Sequence, residues 1–250
     1  MNSLRGSTGS ILGAAETSMV LNQQIAQVNA SVGLAVIPGV LSATEIDHLV
    51  LRLEQTDDRV GTRRRGNVYA IRNLLDVVPD VRRPAASTKI KFLAESVLGA
   101  EAFAVQAILF DKPLEANWKV PWHQELTIAV KERKNVPGFG LWSAKAGALH
   151  VQPPVQVLER MNAIRIHLDN RAESNVPLRV IPGSHLLGRL STDQIGQISR
   201  HPKTSCPVEA GGAMLMRPLL LHASSASRLP AHRRVIHIEF ASSRLPGGLE

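Results

Sequence analysis

His123 and Glu125 stand two residues apart in Trp122-His-Gln-Glu-Leu126. On an extended strand residues i and i+2 share a face, so an imidazole and a carboxylate at this spacing can converge on one ion. A second imidazole, His222, follows the apolar run Leu219-Leu-Leu221 far downstream. Two imidazoles and a carboxylate on one side of an ion form the facial set of non-haem Fe(II) oxygenases, which leaves the other side open to a co-substrate and dioxygen. Arg233 lies eleven residues beyond His222, at the start of the alternating run Arg233-Arg-Val-Ile-His-Ile-Glu-Phe240. Turned inward, its fork of donors would grip a carboxylate bidentately, and Arg234 would then point away. A rim position for both arginines is the alternative.

Such groups need a frame that brings distant strand ends together. From Phe103 onward, short apolar or alternating segments are separated by Gly and Pro turns. They run Phe103 to Phe110, Leu126 to Val130, Ala163 to Leu168, Leu178 to Ile181, Ala213 to Met216, Leu219 to His222 and Val235 to Phe240. This texture predicts an antiparallel double-sheet structure with long loops. The first hundred residues read differently. Gly33 to Pro38 is a short strand stopped by proline. Ser42 with Glu45 makes a capping box ahead of Ile46, Leu49, Val50 and Leu53, which have helical spacing. A second helix starts at Ser87 or Thr88, buries Ile90, Phe92, Leu93 and Val97, and ends near Gly99. Residues 1–18, rich in Gly, Ser and Thr, read as a mobile lead-in. Residues 19–250 read as one domain, mainly β, whose packing helices lie mainly in 40–100 and back one sheet of a sandwich.

Composition narrows the classes further. With 250 residues, 44% apolar and 20% charged, the chain fits neither disorder, collagen nor coiled coil. Its single cysteine, Cys206, allows no internal disulfide and no cysteine metal cluster. No apolar run approaches the ~18 residues of a membrane span, and the first residues lack the pattern of a secretion signal, so a cytoplasmic protein without a membrane partner is expected. The formal charge is +8, and Arg59 to Lys91 holds nine Lys or Arg against Asp76 and Asp80. With only Tyr69 and Phe92 available for stacking and no reader motif, that stretch argues against a nucleic-acid partner. A solvated face, or attraction of an anionic small molecule, is the better account.

At these residues the chain resembles the phytanoyl-CoA dioxygenase (PhyH) family of Fe(II)- and 2-oxoglutarate-dependent oxygenases. The resemblance is carried by Asn117-Trp-Lys-Val-Pro-Trp-His-Gln-Glu125, by His167-Leu-Asp-Asn170 with Asn175-Val-Pro-Leu-Arg-Val-Ile-Pro-Gly-Ser-His185, by Gly211-Gly-Ala-Met-Leu-Met-Arg-Pro-Leu-Leu-Leu-His-Ala-Ser224, and by the position of Arg233. It implies a double-stranded β-helix, a cupin-like jelly roll. It also implies Fe(II) on His123, Glu125 and His222, and Arg233 on the distal carboxylate of 2-oxoglutarate, helped by Ser224. Lys112 and Gln106 are further co-substrate contacts on the same ground. The implied activity is hydroxylation of an unactivated C–H bond of a small molecule, consuming dioxygen and releasing succinate and CO2, with ascorbate as reductant; the basic stretch, not the resemblance, points to an anionic one.

Two positions depart from the family. Glu125 stands where Asp is usual, so the longer side chain must fold back or the ion must shift. Val176 stands where Gly is common. The retained carboxylate argues against a halogenase, whose halide needs that place. Two alternatives remain: a family member that binds metal or ligand without turnover, and a cupin-like isomerase or Zn(II) hydrolase that needs no 2-oxoglutarate.

Substrate choice lies with other residues. Ile164-Arg-Ile-His-Leu-Asp169 alternates, so Arg165, His167 and Asp169 share a face that is either pocket or exterior. Trp118 and Trp122 pack the barrel lip or form a substrate wall. Lys131 to Pro154 is long enough for a lid, with Trp142, His150 and Gln152 as its candidate contacts. His185, after Pro-Gly-Ser, is expected to fix a turn.

Overall fold

The structure is a computed structural model that describes residues 8–56, 62–65, 67–111, 119–145, 147–169, 177–226 and 232–250, without the side chains of 8–18, 62–65 and 67–69. Alternation along the strands sorts the side chains into layers. The larger antiparallel sheet runs, in order, Leu34–Ile37, Ala213–Met216, Met161–His167, Val235–Ala241, Phe103–Phe110, Asn67–Ile71 and Thr62–Arg65. Ile164, Ile166, Leu215, Ile236 and Ile238 leave one face of it and pack against the helices Ala43–Glu54 and Thr88–Leu98. Each such side chain, taken from water, contributes about 1.5–3 kcal/mol.

The other face meets a smaller sheet, ordered Thr204–Cys206, Leu178–Val180, His222–Ser224 and Val120–His123. Leu178, Val180 and Cys206 from this sheet pack with Leu34, Met214 and Met216 from the larger one, filling part of the space between the two. Met214, Arg165, His237 and Ile108 lie opposite one another across four neighbouring strands, so all four point into that space. The interior is therefore apolar in one part and polar in another.

The helices begin where their caps demand. Ser42 and Glu45 form the reciprocal capping box. Ser87 caps Thr88–Leu98, and Gly99, with φ of 88°, lets the chain turn away. The lead-in expected over residues 1–18 is corrected: a helix spans Thr8–Val32, so helix also lies outside 40–100, and residues 1–7 fall outside the described residues. Ala, Glu, Gln, Met and Leu dominate 14–26 and outweigh the flanking Gly, Ser and Thr. Buried Asn29 stitches this helix to the sheet, donating to the Leu215 carbonyl at 3.4 Å and accepting from Asn162 Nδ2 at 2.9 Å.

The lid reading of Lys131 to Pro154 is also corrected. Gly140–Lys145 and Ala148–Gln152 form a hairpin that joins Ile128–Val130 in a third, three-stranded sheet. Ile128, Val130 and Val151 bury against Met161 and Leu219, which gives this segment a core of its own. The strand expected over Leu219–His222 instead begins at His222, because Leu220 closes a turn onto the Arg217 carbonyl at 3.1 Å. In the basic stretch, Arg82 pairs with Asp76, Lys91 pairs with Glu95, and Lys89 donates to the Val40 carbonyl. Among the described residues no helix is long and apolar enough to cross a membrane.

Candidate active site

His123 and His222 are directly opposite each other in the antiparallel pair formed by Val120–His123 and His222–Ser224. Their ring centroids are 4.2 Å apart, at 52°. Each ring has Nδ1 against a carbonyl two residues back, Pro121 O at 2.9 Å and Leu220 O at 2.8 Å. A carbonyl only accepts, so both Nδ1 atoms carry hydrogen, and in the neutral imidazole the lone pair lies on Nε2. This second bond also fixes the ring orientation, as metal-binding histidines require.

Burial, with help from His123, pushes the His222 pKa down to about 3, against the opposing pull of Glu125 and of the Leu220 bond. The native imidazole therefore stays neutral where the unfolded one, near 6.5, takes up a proton. Since the unfolded state binds more protons below about 6.5, stability falls as the pH drops through that window toward 3. Urea melts of the metal-free protein between pH 7 and pH 4 should show a steeper acid loss for the wild type than for His222→Gln.

The residue between the two first-segment ligand candidates works as a tie. Gln124 Nε2 donates to Gly188 O at 2.8 Å and to Leu219 O at 2.7 Å, while its Oε1 accepts from Leu190 N at 2.8 Å. The Pro-Gly-Ser-His turn completes the scaffold. Ser184 Oγ accepts from Leu221 N at 2.8 Å, and His185 Nε2 donates to the Ala30 carbonyl at 2.9 Å. His222 is thus held from both sides of the turn that precedes it.

Glu125 lies just past its strand, where its N–H donates to Pro218 O at 2.9 Å. Its Oε1 is 4.0 Å from His222 Nε2. Its Oε2 is 3.5 Å from Nε2 of a third imidazole, His237, which is also 3.6 Å from Glu239 Oε1. Among the described residues it is Glu125, His237 and Glu239, rather than His123, Glu125 and His222, whose ligand atoms all lie within 4.8 Å of one another. Glu125 thus leans toward the Val235–Ala241 strand. Burial disfavours its charged form, but His237, His222 and Arg165 outweigh that and hold the carboxyl well below the usual carboxylate range.

Burial likewise works against charge on His237, and the Glu125 and Glu239 carboxylates work for it, raising its proton affinity overall. The Arg165 guanidinium lies 3.1 Å from His237 Nδ1 and opposes that charge; whether the ring is neutral, with Nδ1 accepting, or charged, Nε2 carries the hydrogen on the side of the two carboxylates.

Arg233 is fully buried, two residues before Val235 and therefore on the parity of His237. The strand starts at Val235 rather than at Arg233. Asp111 Oδ1 accepts from the Arg233 backbone N–H at 3.0 Å. Arg234 turns the other way, to Asp169 at 2.7 Å and to Glu54 at 2.9 Å. Ser224 is buried two residues beyond His222, across a register shift in the strand pairing. Gln106 is buried opposite Glu239.

The family model for phytanoyl-CoA dioxygenase (PhyH) matches residues 30–235. The chain belongs to the PhyH family. Solved structures share its jelly-roll fold at low sequence identity. AviO1 from Streptomyces viridochromogenes Tue57 is 21% identical, with a TM-score of 0.63 over 90% of this chain and 96% of that one. EctD from S. alaskensis, solved with 2-oxoglutarate and 5-hydroxyectoine, is 19% identical with a TM-score of 0.68 over 88% and 75%. The non-heme α-ketoglutarate-dependent carbocyclase SnoK from nogalamycin biosynthesis is 16% identical with a TM-score of 0.66 over 90% and 85%. No protein with a curated description matches the chain.

Within this PhyH chain the remaining candidates separate. Arg165 and His167, for which both faces were open, point into the interior, where His167 is 2% exposed. Asp169 does not share that face, because the strand ends at His167 and the chain turns toward Arg234. Trp122 is corrected as a substrate wall: it alternates with His123, packs on Ile181, Leu190 and Leu221, and lies under Arg179 at 5.7 Å. Trp142 belongs to the core of the three-stranded sheet, with Arg133 5.5 Å over its ring. His150 is buried, bonded through Nδ1 to Ala148 O at 3.1 Å, and within electrostatic reach of Lys145 and Glu239. Gln152 is half-buried opposite Gly140 in the same sheet, so neither of these two sits on a free lid. Lys112, Trp118 and Val176 lie outside the described residues. Sequence reasoning missed His237 and Glu239, although an inward Arg233 on an alternating strand already requires both to point inward.

Proposed function

We propose that the chain is a non-haem Fe(II)- and 2-oxoglutarate-dependent dioxygenase that hydroxylates an unactivated C–H bond of a small molecule. The observation that carries this reading is the imidazole pair: His123 and His222 face each other with Nδ1 committed to backbone, which leaves Nε2 as the nitrogen for a metal, beside the Glu125 carboxylate. That donor set suits Fe(II), which takes imidazole and carboxylate ligands. Bound there with 2-oxoglutarate and dioxygen, iron would supply the oxidative decarboxylation to succinate and CO2 and the oxidising power for the C–H bond.

The chain's residues do the rest. His123, Glu125 and His222 would occupy one side of the ion and leave the other open. Arg233, fully buried, would pair with the distal carboxylate of 2-oxoglutarate, with Ser224 and Gln106 lining the same interior and Lys112 as a further contact. Arg165 and His167 bring cationic and hydrogen-bonding character to the interior wall, which favours an anionic substrate. Relatives by fold include a carbocyclase and an epimerase, so hydroxylation is the part that product analysis must decide.

The test needs no known substrate. Purified protein with Fe(II), ascorbate and 2-oxoglutarate should form succinate and CO2 only when dioxygen is admitted, faster with a productive small carboxylate. Protein that binds Fe(II) and 2-oxoglutarate but forms no succinate across a broad substrate panel would be a non-catalytic family member. Protein that takes up metal but not 2-oxoglutarate would be a metalloenzyme of another kind.

A further inference from the structure

We infer that His237 is a positioning residue that sets the Glu125 carboxylate, a role called for by the longer side chain this PhyH chain carries at that position. The inference rests on the metal reading above. Glu125 has one more rotatable bond than aspartate, so more conformers turn its carboxylate away from the His123–His222 pair. Its backbone is fixed by the bond to Pro218 O, which leaves the side chain as the remaining freedom. His237 supplies the missing direction. It is 1% exposed, and its Nε2 lies 3.5 Å from Glu125 Oε2 while Oε1 lies 4.0 Å from His222 Nε2. At that distance the contact is electrostatic rather than a closed hydrogen bond, so it orients the carboxylate without competing for its lone pairs.

Arg165 makes the arrangement one-way. With only donors 3.1 Å from Nδ1, it leaves Nε2 as the nitrogen whose hydrogen serves the carboxylates. Glu239 makes it necessary. Its Oε1 lies 3.6 Å from the same Nε2, so without His237 two half-buried carboxylates would face each other without the donor that now stands between them. Repulsion would then turn Glu125 out of its orientation. An aspartate at 125, one methylene shorter, would not reach His237 and would not need it.

The experiment is a double-mutant cycle read by Co(II) titration without 2-oxoglutarate, following the d–d absorption bands. His237→Leu should weaken Co(II) binding roughly 10–100-fold, the usual cost of losing an outer-sphere partner of a ligand, and should shift the bands. His237→Gln, which keeps a donor near the Nε2 position, should restore affinity to within a few-fold. In the Glu125→Asp background, His237→Leu should cost almost nothing. Equal losses in both backgrounds would overturn the inference and make His237 a general packing residue. Unchanged affinity in His237→Leu, with Co(II) binding lost in His222→Ala, would remove the positioning role and leave the metal reading standing. Loss of Co(II) in Glu239→Gln with His222→Ala unaffected would place the ion among Glu125, His237 and Glu239, and both readings would fall.

Discussion

His222→Ala should lose Co(II) and Fe(II) binding by more than the roughly 10–100-fold that an outer-sphere change costs, because it removes a ligand rather than a support. The ring is 3% exposed and aims an unprotonated Nε2 at the carboxylate side of the site. Alanine leaves His123 and Glu125 to bind alone, and a two-ligand site at a barrel mouth holds iron poorly against water. The fold should survive. The scaffold around position 222 is made by backbone groups and neighbours: Ser184 Oγ on Leu221 N, and Ile181 N on the Leu221 carbonyl. Far-UV circular dichroism should therefore be unchanged. His185→Ala is the matched control. It removes a bond to the Ala30 carbonyl that ties the turn to the Thr8–Val32 helix, so it should lower the melting temperature and spare the metal. A His222→Ala protein that titrates Co(II) like the wild type would move the metal elsewhere and end the triad assignment.

The parts of this site that could be read from sequence are those governed by short-range rules. The Ser42–Glu45 capping box, the Phe103–Phe110 strand and the Ala213–Met216 strand follow from local pattern, and the structure has them at those residues. Pairing of His123 with His222 depends on a register between strands far apart in sequence, which spacing within each segment does not contain. The family motifs supplied it. The Thr8–Val32 helix was obscured because Gly and Ser near its start read as loop, while its apolar residues lack a single stripe. Met19, Val20 and Leu21 are all exposed. The three-stranded sheet inside 131–154 was obscured by its glycines and prolines, which mark the turns of a hairpin as readily as a loop. His237 shows a different kind of miss. The period-2 rule that turned Arg233 inward also turns residues 235, 237 and 239 inward, and two of these carry ionisable groups next to the metal-ligand candidate. What no local rule reveals is the Arg165 contact with His237 Nδ1, since it joins neighbouring strands whose pairing is set by the whole sheet.

Arg233→Ala should separate co-substrate binding from metal binding. The guanidinium is fully buried, and burial pushes its proton affinity down against the pull of Asp111. A charge held in that environment gains most when a carboxylate arrives to pair with it. Truncating one side of such a buried pair costs about 2–5 kcal/mol, or about 30-fold to several thousand-fold in affinity. The 2-oxoglutarate Kd of the Co(II)-loaded protein should rise by that factor, while Co(II) affinity in its absence stays within a few-fold of the wild type. Arg233→Lys should fall between, since a point charge replaces a fork. Thermal melts give an independent reading. Saturating 2-oxoglutarate should raise the melting temperature of the Co(II)-loaded wild type and leave that of Arg233→Ala unmoved. The variant is informative because Asp111 holds the chain here through the backbone N–H of residue 233, at 3.0 Å, and through His232 Nδ1, at 2.6 Å. Both bonds persist when the side chain is cut back to a methyl group. A variant that still binds 2-oxoglutarate like the wild type would therefore show that the buried guanidinium serves the barrel rather than the co-substrate, and the anchor would have to be sought elsewhere in the interior.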